Sequence, residues 1–184
     1  IDLFVKNVRT LIVKVFEVNA RNFYQQNLRE VNTDINLDGL VANDEQTYEY
    51  TEPPLRRVRR HFDFPSLARP GVYVVDFIGN GMSSRVVIRK GQLRHLVRTG
   101  SAGHVFTILD EQNQTVKDAT LWLAGREYTP NKEGRITVPF TDKPGPQPII
   151  LSRGGLSCLE TFSHESENYT LAAGIYVDRE SLLA

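Results

Sequence analysis

One stretch, Gly71–Arg89 (GVYVVDFIGNGMSSRVVIR), limits the folds open to this chain more than any other. Gly71–Ile78 is rich in β-branched and aromatic residues, the types that fit a pleated surface. Gly79-Asn80-Gly81 follows, and glycine and asparagine tolerate the positive φ that a tight hairpin turn requires. Ser84–Arg89 then returns as the partner strand. A phosphate-cradling reading of Gly79–Ser84 fails, because it lacks the P-loop lysine and leads into a strand rather than a helix.

The same grammar recurs along the chain. Val5–Glu17 reads as a strand with Leu11, Val13 and Val15 on one side, and Thr33–Leu40 alternates with Ile35 and Leu37 on one face. Val58–Phe64 alternates through Val58, Phe62 and Phe64. Further strands are expected at His104–Leu109, Ala119–Ala124, Arg135–Phe140 and Ile149–Leu151. Polar or Pro/Gly-rich breaks separate them at Glu52-Pro53-Pro54, Pro65–Pro70, Asp110–Gln114, Thr129–Gly134 and Lys143–Pro148. Asn22–Val31 is the one helix candidate, and it is too short to be stable without packing. Strands at roughly ten-residue spacing argue for sandwiches rather than βαβ units. The expected fold is all-β: two tandem immunoglobulin-like sandwich modules with at most one short helix. The boundary is expected at Lys90-Gly91, giving modules 1–90 and 91–184, with a following element starting from about residue 172 (Ile175–Leu183). Trp122, Tyr73, Phe77 and Phe106 are expected to fill the two cores.

The second half carries a recognisable run: Gly103-His104-Val105-Phe106-Thr107, Val116-Lys117-Asp118-Ala119, Leu121-Trp122-Leu123, then Glu133–Val138. This resembles the sandwich repeat of the alpha-macroglobulin family and of related carboxypeptidase-regulatory-like modules. Pro70–Phe77 resembles the strand closing a preceding macroglobulin module, and Ile175-Tyr176-Val177-Asp178-Arg179 is similar to the entry into a following one. The resemblance implies tandem sandwiches. It does not extend to protease trapping, because the family's thioester motif is absent and Cys158 sits in the apolar run Leu156–Glu160.

Composition narrows the functional classes. Lys+Arg and Asp+Glu both number 22, so no net charge draws the 184-residue chain to nucleic acid or anionic lipid. Apolar runs such as Val72–Val75 fall far below the ~20 residues of a membrane span. A chain starting at Ile1 and ending in a new element is expected to be a piece of a larger protein. Cys158 has no internal partner, and the sequons at Asn113 and Asn168 are the only secretion signals. The setting expected from them and from the family is extracellular or the cell envelope.

Each candidate site competes with a structural reading. Asp34-x-Asn36-x-Asp38-Gly39, with Glu45, matches a calcium-loop template of alternating oxygen ligands. Ile35 and Leu37 instead suit a half-buried strand ending in an Asp-Gly turn. Arg56-Arg57-Val58-Arg59-Arg60-His61 could be a polyanion patch or the processing site of a furin-like protease; alternation through Phe62 favours a charge-guarded edge strand. His61, His95, His104 and His164 have no metal-ligand spacing, and His104 reads as a surface or partly satisfied strand residue. Ser157 lacks the second glycine of a nucleophile elbow.

These observations lead to a non-catalytic structural or protein-interaction module of a larger, macroglobulin-like multidomain protein. Its partners would be other domains of the parent chain and other proteins, with no catalytic, metal or cofactor site. The competing expectations are a module binding calcium or carbohydrate, and an accessory domain of a hydrolase.

Overall fold

The computed structural model describes residues 1–168. The expected element from residue 172, the Ile175–Arg179 similarity and the Tyr169-Thr170 pair completing the Asn168 sequon lie outside them. The first half contains β1 (Asp2–Lys6), β2 (Thr10–Val18), α1 (Ala20–Asn27), β3 (Asp44–Glu49), β4 (Arg57–His61), β5 (Gly71–Gly79) and β6 (Met82–Lys90). The second contains β7 (Arg94–Gly100), β8 (Gly103–Leu109), β9 (Thr120–Leu123), β10 (Arg126–Tyr128), β11 (Arg135–Val138), β12 (Gly145–Arg153) and β13 (Leu156–His164). Four sheets result, in the orders β1-β4, β3-β2-β5-β6, β11-β8-β7 and β10-β9-β12-β13, and every pairing is antiparallel. They form two immunoglobulin-like sandwiches, as the sequence leads one to expect.

The two sandwiches follow one plan. Strands β1 to β6 pair among themselves as β8 to β13 do, in the same chain order. Three differences stand out. Among the described residues, the second sandwich has a further strand, β7, before its first common strand. Its β9 and β10 are joined by only Ala124 and Gly125, both at positive φ, whereas residues 19–43 and α1 separate β2 from β3. Finally, β5 is buried over its first seven residues. Tyr73, Val75 and Phe77 face β1-β4, while Val72 and Val74 face the other way, which explains why this strand is apolar without alternation.

Several expectations about elements are corrected. Val5–Glu17 is two strands in different sheets, broken where Asn7 turns at φ 56°. Thr33–Leu40 is no strand. Its Ile35 and Leu37 are buried, but Arg85 donates to the Thr33 and Ile35 carbonyls and Arg89 to that of Val31, so side chains take the place of a sheet partner. The helix begins and ends earlier than expected. Asn19 caps its start by accepting from the Asn22 N–H at 3.1 Å, and Leu28 closes it in the left-handed conformation at φ 48°. Strand β12 begins well before Ile149, in Gly-Pro-Gln-Pro. There it pairs only with β13, so prolines on its open side break no ladder. The Asn80-Gly81 turn is as expected.

Each sandwich has its own core. Leu11, Val13, Val15, Phe62, Tyr73, Val75 and Phe77 fill the first; Phe106, Ile108, Leu121, Ile136, Ile149, Leu151 and Phe162 fill the second. A third cluster lies between them, with Phe16, Ala20, Tyr24, Val31, Val72 and Val74 from the first half and Ile150, Trp122 and Leu159 from the second. Trp122 therefore does not fill its own sandwich. Its strand neighbours Leu121 and Leu123 point inward, and by pleat alternation Trp122 faces outward onto this seam.

Candidate functional site

The seam is the most heavily built feature outside the two cores. α1 packs on β12 and β13, bringing Tyr24 and Ala20 against Ile150, which is fully buried. Polar groups close the edges. The Tyr24 hydroxyl donates to Glu30 at 2.9 Å, and Arg89 Nε reaches the same carboxylate at 3.0 Å. Burial, reinforced by the Glu30 charge, pushes the Tyr24 phenol well above its ordinary value, so it stays a donor. Arg21 on α1 pairs with Glu127 on β10 at 2.8 Å across the seam.

A cleft of about 270 Å³ opens beside it, lined by Tyr24, Glu30, Arg89, Glu111, Cys158 and Glu160 among others. The Cys158 thiol accepts the Leu93 backbone N–H at 3.2 Å. Burial pushes its pKa up, against the partial stabilisation of that hydrogen bond, which favours the unreactive thiol form. His95 Nδ1 lies 3.3 Å from Glu160 without the alignment of a hydrogen bond.

The residues singled out from sequence are scattered by the fold. Asp34 pairs with Arg29 at 3.2 Å, Glu45 with Lys14 at 3.1 Å, and Asn36 accepts the Asp38 N–H at 2.9 Å. The calcium template is thus divided among other partners, and among the described residues no group of three or more acidic, His or Cys side chains converges. The Arg56–His61 cluster lies on and beside β4, next to β1, and much of its charge is matched. Arg59 meets Asp2 at 2.5 Å, Arg60 pairs with Glu52 and stacks on Tyr50, and Arg57 lies 4.1 Å above the Phe4 ring. His61 bridges Asp2 and Asp63, and the Asp2 contact above all raises its pKa.

His104 is buried rather than a surface residue. It packs edge-to-face against Phe140, Phe162 and His164, and its Nε2 accepts the Glu165 N–H at 3.3 Å. Ser157 is half of a buried hydroxyl pair with Ser152 at 2.9 Å on the adjacent strand. What sequence reasoning missed is the seam. Its one signal was Trp122 and Ile150 on strands whose neighbouring residues already supply the core.

Comparison with known proteins agrees with this geometry. Over 86% of this chain and 57% of the other, the fold is similar to the crystal structure of native alpha-2-macroglobulin from Escherichia coli spanning domains MG0-NIE-MG1, with TM-score 0.50 and 12% identity. That likeness concerns the fold alone. Residues 11–91 match the family model of the AbpF first immunoglobulin-like domain. The whole chain is 39% identical, over 190 aligned positions, to Actin-binding protein F of Dictyostelium discoideum, and spans 8% of that protein's length. This overturns the extracellular or cell-envelope expectation, since the relative is named for binding actin, a cytoskeletal polymer. The chain is similar, from end to end, to a small immunoglobulin-like portion of a much longer actin-binding protein.

Proposed function

We propose that this chain is a non-catalytic, stiff pair of sandwiches that holds protein-binding surfaces at a fixed spacing within a larger actin-associated protein of macroglobulin-like tandem architecture. One observation carries the reading: an apolar seam with Ile150 fully buried and Val31 and Val74 beside it. Loosely linked domains have no need of such a seam, whereas an apolar interface of this kind resists relative motion. The module boundary is proposed at Lys90-Gly91. No strand pairing crosses it among the described residues, and the immunoglobulin-like match ends at residue 91. The partners proposed are neighbouring domains of the parent chain and other proteins of an actin-associated assembly.

Backbone amide relaxation measured by NMR on the chain tests the idea. Both sandwiches should tumble with one rotational correlation time, and Ile150→Glu should separate it into two. Independent tumbling of the unsubstituted chain would remove the reading.

A further inference from the structure

We propose that the outer face of the β11-β8-β7 sheet docks an amphipathic helix of a protein partner, with glutamates flanking the apolar stripe of that helix. The pairing register defines the face. Phe106, Ile108, Ile136 and Val138 point into the second core, so the residues alternating with them point outward. One outward row is Leu96–Thr107–Arg135 and the next is Arg98–Val105–Thr137. On the other side of the Leu96 row, Arg94 stands opposite Leu109. Leu96 is 60% exposed, and Val105 and Leu109 are partly exposed beside it.

The other sheet of the same sandwich shows how this molecule covers such a face. In β10-β9-β12-β13 the outward row is Glu127–Trp122–Ile150–Leu159, and α1 packs on β12 and β13 over it. Ala20 and Tyr24 bury Ile150, while Arg21 of the helix seals the rim by pairing with Glu127 at 2.8 Å. A helix stripe laid on a sheet face buries the apolar surface of both. The β11-β8-β7 face has the same layout with the sign reversed: apolar residues at its centre, arginines at its rim and no acid in its rows. Among the described residues nothing buries Leu96.

Charge selects the helix. Neither Arg94 nor Arg98 has a carboxylate partner among the described residues, and Arg94 reaches only the Gln92 side chain, at 3.1 Å. Arg135 has the exposed Glu133 at 3.1 Å. Arg94 and Arg98 stand about 13 Å apart along β7, with Arg135 about 10 Å across the sheet from that strand. Two helical turns span about 11 Å and a helix is about 10 Å wide, so glutamates on both flanks of a helix lying along β8 meet all three. The apolar centre argues for protein rather than nucleic acid, since protein interfaces combine such a centre with arginine.

The inference rests on reading the chain as a protein-interaction module, but not on stiffness of the seam. Separate tumbling of the sandwiches would leave this face intact, and loss of peptide binding would leave the seam intact. The test is NMR titration of the 184-residue chain with the synthetic helix AQLEAELAQLEAEL. One control peptide has lysine for its glutamates, and a second has serine for its leucines. The expected result is saturable shifts in the amides of Arg94–Arg98 and Val105–Leu109 with the first peptide only. Arg98→Glu and Leu96→Asp, both at exposed positions, should each keep the melting temperature and weaken binding about tenfold or more. Absence of shifts at about 1 mM peptide would overturn the proposal. So would shifts centred on another surface, or affinity unchanged by either variant. Equal binding of the serine control would overturn it too, because charge alone would then suffice and a polyanion would fit as well. Nuclear Overhauser contacts between Leu96 and residues 169–184 in the free chain would do the same, since the chain would then cover its own face.

Discussion

The two sandwiches use the same six-strand pairing scheme for different ends. In the second, a two-residue turn joins β9 to β10 and β7 completes the β11-β8-β7 sheet, so its core is closed: Phe106, Ile108, Ile136 and Ile149 have no exposed surface. In the first, the corresponding turn has grown into residues 19–43. The insertion turns one face of β3-β2-β5-β6 into the seam, and Val86 and Ile88 of β6 are only partly buried against the first core. Additions to a common scaffold, rather than changes of its pairing, differentiate the halves.

The largest effect that can test this contrast is truncation in the closed core. Phe106→Ala should cost about 3–5 kcal/mol, because a rigid, fully packed site cannot collapse around the cavity. Val5→Ala, in the first core, removes only two methyl groups and should cost about 1–2 kcal/mol; a loss in urea unfolding as large as that of Phe106→Ala would show that Val5 matters more to its core than its size implies. Next is the seam. Ile150→Ala should cost about 2–5 kcal/mol and separate the unfolding of the halves, seen as a split calorimetric transition. A single transition shifted without splitting would mean that the seam adds stability but no coupling.

The hairpin that attaches β7 comes third. Gly103 has φ 127°, and a Cβ there would run into the Val138 carbonyl, so Gly103→Ala should cost at least about 1 kcal/mol. Faster amide exchange in β7 than in β12 would locate the damage.

Smallest is the surface cluster on β1-β4. His61 has a raised pKa, so its stabilising contribution is complete below the ordinary histidine range and is lost as pH rises through the folded value. Asp2, held low chiefly by Arg59, contributes above the ordinary carboxylate range and loses that contribution as pH falls through its own folded value. His61→Gln should therefore narrow the melting-temperature difference between mildly acidic and mildly alkaline buffer. An unchanged difference would place the pH dependence elsewhere.

Much of the fold was legible from local chemistry. The Gly71–Arg89 hairpin follows from residue type and from the positive φ of Asn80 and Gly81, which concern only neighbours in the chain. Less was legible where partners are remote. Arg94–Gly100 carries Leu96 and Val97 exposed among arginines, so no alternation marks β7; pairing with β8 makes it a strand. Ile35 and Leu37 alternate like a strand, but Arg85 bonds the Ile35 carbonyl and Arg89 that of nearby Val31, both from another element. Two carboxylates of the calcium template, Asp34 and Glu45, are engaged by Arg29 and Lys14, which the spacing of the template does not show.

By itself the sequence determined the class: β-branched runs and turn residues at short intervals specify small sandwiches, because those preferences are local. Tertiary structure alone decided that Trp122 and Ile150 face the first sandwich, and that α1 packs on β12 and β13. Both depend on which surfaces meet across long separations in sequence, and no local preference encodes that.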